Sequence, residues 1–177
     1  MTSFTSHRRK NMTVKTAITL MALLLAAPPL FAQSADDPAY EMLDGIGACM
    51  LGDGKIDKTT AALTDIKWTT AADPDTGQVN FQPAAGDRTF GFVTDKVGSC
   101  HVESMAIGTD DAQTMFNLFL LGGNSGIEVT ETGTDADGCT THTLSTGAVA
   151  VLTSGGNDPT CASEKTSAFS FTFAPGN

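Results

Sequence analysis

Positive charge is nearly missing from most of this chain. Of its ten Lys and Arg, Arg8, Arg9, Lys10 and Lys15 crowd the first 32 residues. Six then face all twenty Asp and Glu over residues 33–177, a net charge of −14 over 145 residues. Such a surface repels nucleic acid and anionic membrane, so neither is expected as a partner. It is compatible with a cationic partner, with weak calcium binding or with solubility alone. The acids never run longer than two (Asp36-Asp37, Asp110-Asp111), so no acidic tail is indicated.

Catalytic signatures are equally scarce. The sequence contains no G-x-S-x-G elbow, no Gly-Lys-Ser/Thr phosphate loop, no H-E-x-x-H helix and no C-x-x-C pair. "LGDGK" at 51–55 lacks the upstream glycine and the following Ser/Thr of a P-loop and reads as a helix stop. The zinc-deaminase pattern of H-x-E followed by P-C-x-x-C is also missing. Outside the first 32 residues only His101 and His142 remain to act as a base. Thiol oxidoreductases are disfavoured because no two cysteines are neighbours. No cofactor is called for.

What is present begins with an export signal. His7, Arg8, Arg9, Lys10 and Lys15 form a basic lead, Ala17 to Ala27 ("AITLMALLLAA") an apolar stretch, and Leu30-Phe31-Ala32 a cleavage site before Gln33. The apolar stretch is shorter than the roughly 20 residues of a membrane span and stops at Pro28-Pro29, so no span is expected after cleavage. Met12 offers a second start, since the segment from it is a complete signal. Arg8-Arg9 lacks the apolar follower of a twin-arginine motif. No cysteine follows the apolar stretch, which rules out a bacterial lipid anchor. Residues 1–32 are therefore expected to be a bacterial signal peptide, with the periplasm or the medium as destination. Residues 33–37 would be a flexible lead and 38–177 one domain. A chain of that length buries nearly 70 % of its unfolded surface.

Hydrophobic spacing predicts two principal helices. The first starts at Asp37-Pro38, an acid cap before a proline, and aligns Met42, Leu43, Ile46, Cys49 and Met50 on one stripe before Gly52 and Gly54. The second runs from Asp110 to Leu121, with Ala112, Met115, Phe116, Phe119 and Leu120 forming a core face and Gly122-Gly123 a stop. Asp57 is read as the cap of a shorter turn, "DKTTAALTD". Eight segments alternate with period two: 66–70, 78–81, 89–93, 100–104, 126–131, 139–144, 148–153 and 167–173. In the last, Phe169, Phe171 and Phe173 face one way. Turns at "DPDTGQ", "AAGDR", "TGTDADG" and "STG" separate them. Consecutive strands joined by turns predict an α+β fold with an antiparallel sheet of about eight strands. The order, helices then four strands and a helix then four strands, leaves two α-β4 halves open. In element order and size it resembles secreted tandem-repeat inhibitors, the family of the β-lactamase inhibitory protein; no motif is matched and no residue is carried over.

Cys49, Cys100, Cys139 and Cys161 form an even set in an exported chain, which predicts two disulfides. Of three connectivities, Cys49–Cys100 and Cys139–Cys161 are favoured: a helix tied to a strand, and a local closure across "NDPT". On the strand "SCHVES", Cys100, Val102 and Ser104 share one face, and His101 and Glu103 share the other, expected to be an exposed polar face. That separates thiol from imidazole and makes a Cys–His nucleophile geometrically poor. His101 and Glu103 supply only two metal ligands, with His142 as a third if its strand lies alongside. "DPDTGQ" (Asp73, Asp75) and "DADG" (Asp135, Asp137, Gly138) hint at calcium loops. Position twelve of the first is Ala84, and in the second Gly138 falls at position four, so both read as turns. The expectation is an exported, non-enzymatic binding or inhibitor-like domain whose partner is a protein or envelope component, cationic if charge drives association. The alternatives are a metal-assisted hydrolase using His101, Glu103 and His142, and a purely structural envelope protein.

Overall fold

A computed structural model describes residues 37–122, 126–155 and 161–174. The expected signal peptide, residues 33–36, Gly123 and the "NDPT" segment lie outside the described residues. Among those described, three helices and eight strands follow the order α1 (Pro38–Gly52), α2 (Ile56–Asp65), β1 (Trp68–Asp73), β2 (Gln78–Pro83), β3 (Thr89–Thr94), β4 (Ser99–Ser104), α3 (Thr109–Leu121), β5 (Val129–Thr134), β6 (Thr140–Leu144), β7 (Val149–Thr153) and β8 (Ser167–Thr172). The fold is α+β, with one antiparallel sheet in the order β1-β2-β3-β4-β8-β7-β6-β5. Read outward from the β4–β8 seam, each side is a four-stranded meander. No described helix is long and apolar enough to cross a membrane.

Helix α1 begins where Asp37 accepts the Ala39 N–H at 3.0 Å with Pro38 at the first helical position. It carries Gly45 and Gly52, each costing about 1 kcal/mol relative to alanine inside a helix. Close packing explains them. A Cβ at Gly45 would come within 2.5 Å of the Val102 side chain, and one at Gly52 would collide with Thr59 of α2. α1 thus lies directly on β4 and crosses α2 closely. It stops at Asp53 and Gly54, both left-handed (φ 54 and 64), and a Cβ on Gly54 would strike Phe173.

The "DKTTAALTD" segment corrects the expectation of a short turn capped by Asp57. It is a ten-residue helix whose first turn contains Asp57 and whose N-cap is Lys55. A distant residue supplies the cap: the Ile56 N–H donates to the Asp95 carboxylate in the β3–β4 turn at 2.7 Å. Because α2 continues to Asp65 and Lys67 is left-handed (φ 64), β1 starts at Trp68 rather than at Ile66. The expected 126–131 strand likewise runs from Val129 to Thr134.

All three helices cover one face of the sheet. Met42, Ile46 and Cys49 of α1 and Leu63 of α2 meet Trp68, Phe81, Val93, Cys100 and Val102. Phe116 of α3 stacks on Phe169 at 4.9 Å and lies 6.5 Å from Phe171. The structure links Cys49 to Cys100 and Cys139 to Cys161, the pairs favoured above, and the described residues hold no free cysteine. Two disulfides fit a non-cytoplasmic, oxidising compartment.

Candidate functional site

The alternation that buries one face of each strand sends the other side chains to a face no helix covers. Register aligns them across the sheet. Asn80 lies beside Phe92, Phe92 beside His101, His101 beside Ser170, Ser170 beside Val151 and Val151 beside Thr141. A second row runs from Gln82 on β2, with Phe90 beside Glu103 and Glu103 beside Ala168. Phe90 and Phe92 on β3 and Val149 and Val151 on β7 are half-buried on either side of the β4–β8 seam, whereas Thr69, Asn80, Gln82 and Glu131 are exposed towards the edges. Over β1–β3 the twist forms a depression of about 480 Å³ lined by Thr69, Ala71, Asn80, Gln82, Phe90 and Phe92.

At the seam, polar groups of both meanders form a chain. His101 Nδ1 lies 2.9 Å from Ser170 Oγ, and His101 Nε2 lies 3.4 Å from Glu103 Oε2. The carboxylate can only accept, so Nε2 carries the proton and Nδ1 accepts from the serine hydroxyl. Burial lowers the His101 pKa, opposed by the Glu103 hydrogen bond and charge. The imidazole is therefore neutral at pH 7. Phe92 stacks on the ring at 5.1 Å, and Gly155, beyond β7, lies against the Glu103 side chain at 3.0–3.2 Å from its ideal Cβ position. These contacts correct the expectation of an exposed polar pair. His101 and Glu103 do share the face opposite Cys100, but only 21 % and 13 % of their side-chain surfaces are accessible.

Serine, imidazole and carboxylate in series is the order of an acyl-transfer triad, with the imidazole nitrogens exchanged. The surroundings are unlike an acyl-transfer site. Ser170 sits within β8, paired to β4 on one side and β7 on the other, so the backbone N–H groups flanking it are spent on ladder bonds. An oxyanion needs donors aimed at it and not already engaged. The chain locks its rings in place and offers a shallow, partly apolar surface.

The metal alternative is not assembled. β8 and β7 stand between β4 and β6, and His142 points to the helix face, beside Ala150 and stacked on Phe116 at 5.0 Å. His101 and Glu103 point the other way. His142 Nε2 donates to Gln113 Oε1 at 2.9 Å and Nδ1 accepts from Thr132 at 3.1 Å, and burial lowers its pKa. Three strand spacings of about 4.8 Å and the sheet itself separate it from the other two. The two acidic loops are turns. Asp73 accepts from the Asp75 and Thr76 N–H groups, which hold its carboxyl below the ordinary carboxylate value. Asp135 accepts from the N–H groups of Asp137 and Cys139 at 3.0 and 2.8 Å. Its carboxylate lies within 4.8 Å of the Cys139 and Cys161 sulfurs, but these are bonded to each other and offer no thiolate to a metal.

Sequence reasoning placed His101 and Glu103 together but missed Ser170 and Phe92. Both lie on the correct alternation phase, yet it takes the β3–β4 hairpin register to bring Phe92 to the imidazole, and the β4–β8 pairing, remote in sequence, to bring Ser170. No protein family, curated protein or solved structure matches the chain.

Proposed function

We propose that this chain is an exported, non-enzymatic binding protein that recognises a partner protein of the bacterial envelope or medium through the helix-free face of its sheet. The observation that carries this reading is the face itself. Half-buried Phe90 and Phe92 on β3 and Val149 and Val151 on β7 form two apolar patches flanking the polar His101–Ser170–Glu103 seam, within a polar edge of Thr69, Asn80, Gln82 and Glu131. Apolar patches inside a polar rim are the anatomy of a recognition surface. The rings are held by contacts within the protein, so little side-chain freedom is lost on binding. A partner of positive charge suits a domain of net charge −14.

The test is affinity capture from a periplasmic extract with residues 33–177, alongside Asn80→Lys/Gln82→Lys. Both positions are exposed, so the fold tolerates the change. One stoichiometric partner retained by the natural face, lost with the double variant and weakened by salt supports the reading. Retention that ignores both salt and the lysines sinks it.

A second reading, hydrolysis of activated esters, is favoured by the Ser170–His101–Glu103 chain alone. Labelling with a fluorophosphonate that vanishes in Ser170→Ala would establish it; no labelling of the folded protein removes it.

A further inference from the structure

The outer surface of the helix layer carries a second apolar feature, on the side away from the face just described. A groove of about 430 Å³ runs along α1. Gly47 and Ala48 of α1 make its floor, Ala62 of α2 and Ile66 just beyond its end one wall, and Leu118 and Phe119 of α3 the other. The floor is low because a side chain at Gly47 would press on the Phe119 ring, 3.1 Å from an ideal Cβ. Large apolar side chains around it stay in water: Leu51 is 57 % exposed, Ile66 41 %, Leu118 47 % and Leu121, at the end of α3, 80 %. Soluble domains scatter such residues singly; clustered around one concavity they mark a binding site.

Charge decides between occupants. Among the described residues the one charged side chain lining it is Asp44, whose carboxyl pKa is raised by partial desolvation and then by the neighbouring Glu41 charge. The two longer helices, α1 and α3, expose Asp44, Asp110 and Asp111 and hold no Lys or Arg; Glu41 of α1 is buried. α2 adds Asp57 and Asp65 against Lys58, with Lys55 and Lys67 at its two ends, so the helix layer stays acidic on balance through α1 and α3. A second copy docked here through a two-fold axis would set these acids against themselves, which disfavours a homodimer. A groove between helices, floored by small residues and open along its length, accepts the side-chain ridge of another helix. We infer that this groove binds an amphipathic helix of a partner protein, apolar on the side laid into the groove and basic on its flanks.

The probe is a labelled synthetic helix of about 18 residues, leucine on one face and lysine on the other, titrated into residues 33–177 and followed by anisotropy. Leu118→Asp and Ile66→Asp, on opposite walls at exposed positions, should each weaken binding at least about tenfold. Each also makes the protein more negative, so general attraction for a cationic peptide would move affinity the other way. Asp44→Asn should weaken it several-fold, and a leucine/glutamine peptide of the same apolar face should bind about tenfold less tightly than the lysine peptide. The inference is overturned if both wall variants bind the lysine peptide as the natural protein does. It is likewise overturned if the uncharged peptide binds equally well, or if the domain self-associates and Leu118→Asp abolishes that. None of these outcomes involves the sheet face, whose variant Asn80→Lys/Gln82→Lys should bind the peptide normally.

Discussion

The meander that ends in β4 and the one that ends in β8 meet symmetrically at the seam, yet they close their cores by different means. The first puts sulfur at its centre: Cys49 and Cys100 are fully buried and join α1 to the seam strand. The second puts rings there, with Phe116, Phe169 and Phe171 stacked and His142 laid against Phe116. Its own disulfide is peripheral, joining Cys139 at the start of β6 to the half-exposed Cys161. The first meander has two helices over four strands and the second only one, so the edge strand β5 is left exposed at all but its first residue. What the halves share is local: each opens with a hairpin whose turn folds onto an aspartate, Asp73 or Asp135. Turn chemistry repeats where four residues decide it, and core chemistry diverges where the number of covering helices differs.

The sharpest break of this comparison is to remove each bridge. Cys49→Ala/Cys100→Ala opens a loop of 51 residues and Cys139→Ala/Cys161→Ala one of 22. Chain entropy alone assigns them about 4 and about 3 kcal/mol. The inner pair loses packed sulfur as well, so its cost should be the larger, read as the drop in urea midpoint under non-reducing conditions. An outer pair that costs more than the inner one would mean that burial does not distinguish the halves.

Next in size is the ring cluster. Phe116→Ala removes the side chain that contacts Phe169, Phe171 and His142 together, and should cost roughly 3–5 kcal/mol. Phe116→Leu, which keeps most of the apolar volume but not the stacking, should recover most of that. If the alanine variant unfolds at nearly the natural midpoint, the second half does not rest on its rings.

Most of this architecture was legible in the sequence, and the exceptions share a cause. All eight strands, α1 and α3 announce themselves by period and by punctuation such as Asp37-Pro38 and Gly52. α2 was underread because its cap comes from Asp95, a residue 39 positions away, and not from Asp57 within it. The His101 face was read in the correct phase but as exposed, because the Phe92 ring and Gly155 that cover it arrive through strand pairing. His142 was offered as a metal leg on the condition that β6 lay beside β4. The order β4-β8-β7-β6 removes that condition, and no local pattern encodes strand order.

Each half also owns one histidine, His101 on the open face and His142 under α3, and this carries a pH prediction. Desolvation lowers both pKa values, so the unfolded chain binds protons that the folded one refuses. Stability from these groups is therefore complete above the ordinary imidazole value of about 6.5 and is lost as pH falls through it towards the lower folded values. Glu103 opposes the shift at His101, whereas burial acts alone at His142. His142→Gln and His101→Gln should each flatten the loss between pH 7.5 and 5.5, in urea titrations at each pH. A variant that loses stability as steeply as the natural protein would show that its half refuses no proton on folding.

The smallest effect concerns how each half starts its outlying helix. The α2 terminus borrows the Asp95 carboxylate of the β3–β4 turn, while α3 has Gly108 at its cap and docks through the Thr109 N–H onto the Ser163 carbonyl at 2.9 Å. One device is a side chain and the other is backbone, so they differ in what mutation can remove. Asp95→Ala should cost about 1 kcal/mol, with faster hydrogen exchange in the first turn of α2, and Asp95→Asn should restore most of it by keeping an acceptor. Ser163→Ala leaves its carbonyl in place and should leave exchange in the first turn of α3 nearly unchanged. Equal responses at the two termini would show that the α2 start is held by its packing under α1 and not by the borrowed acid.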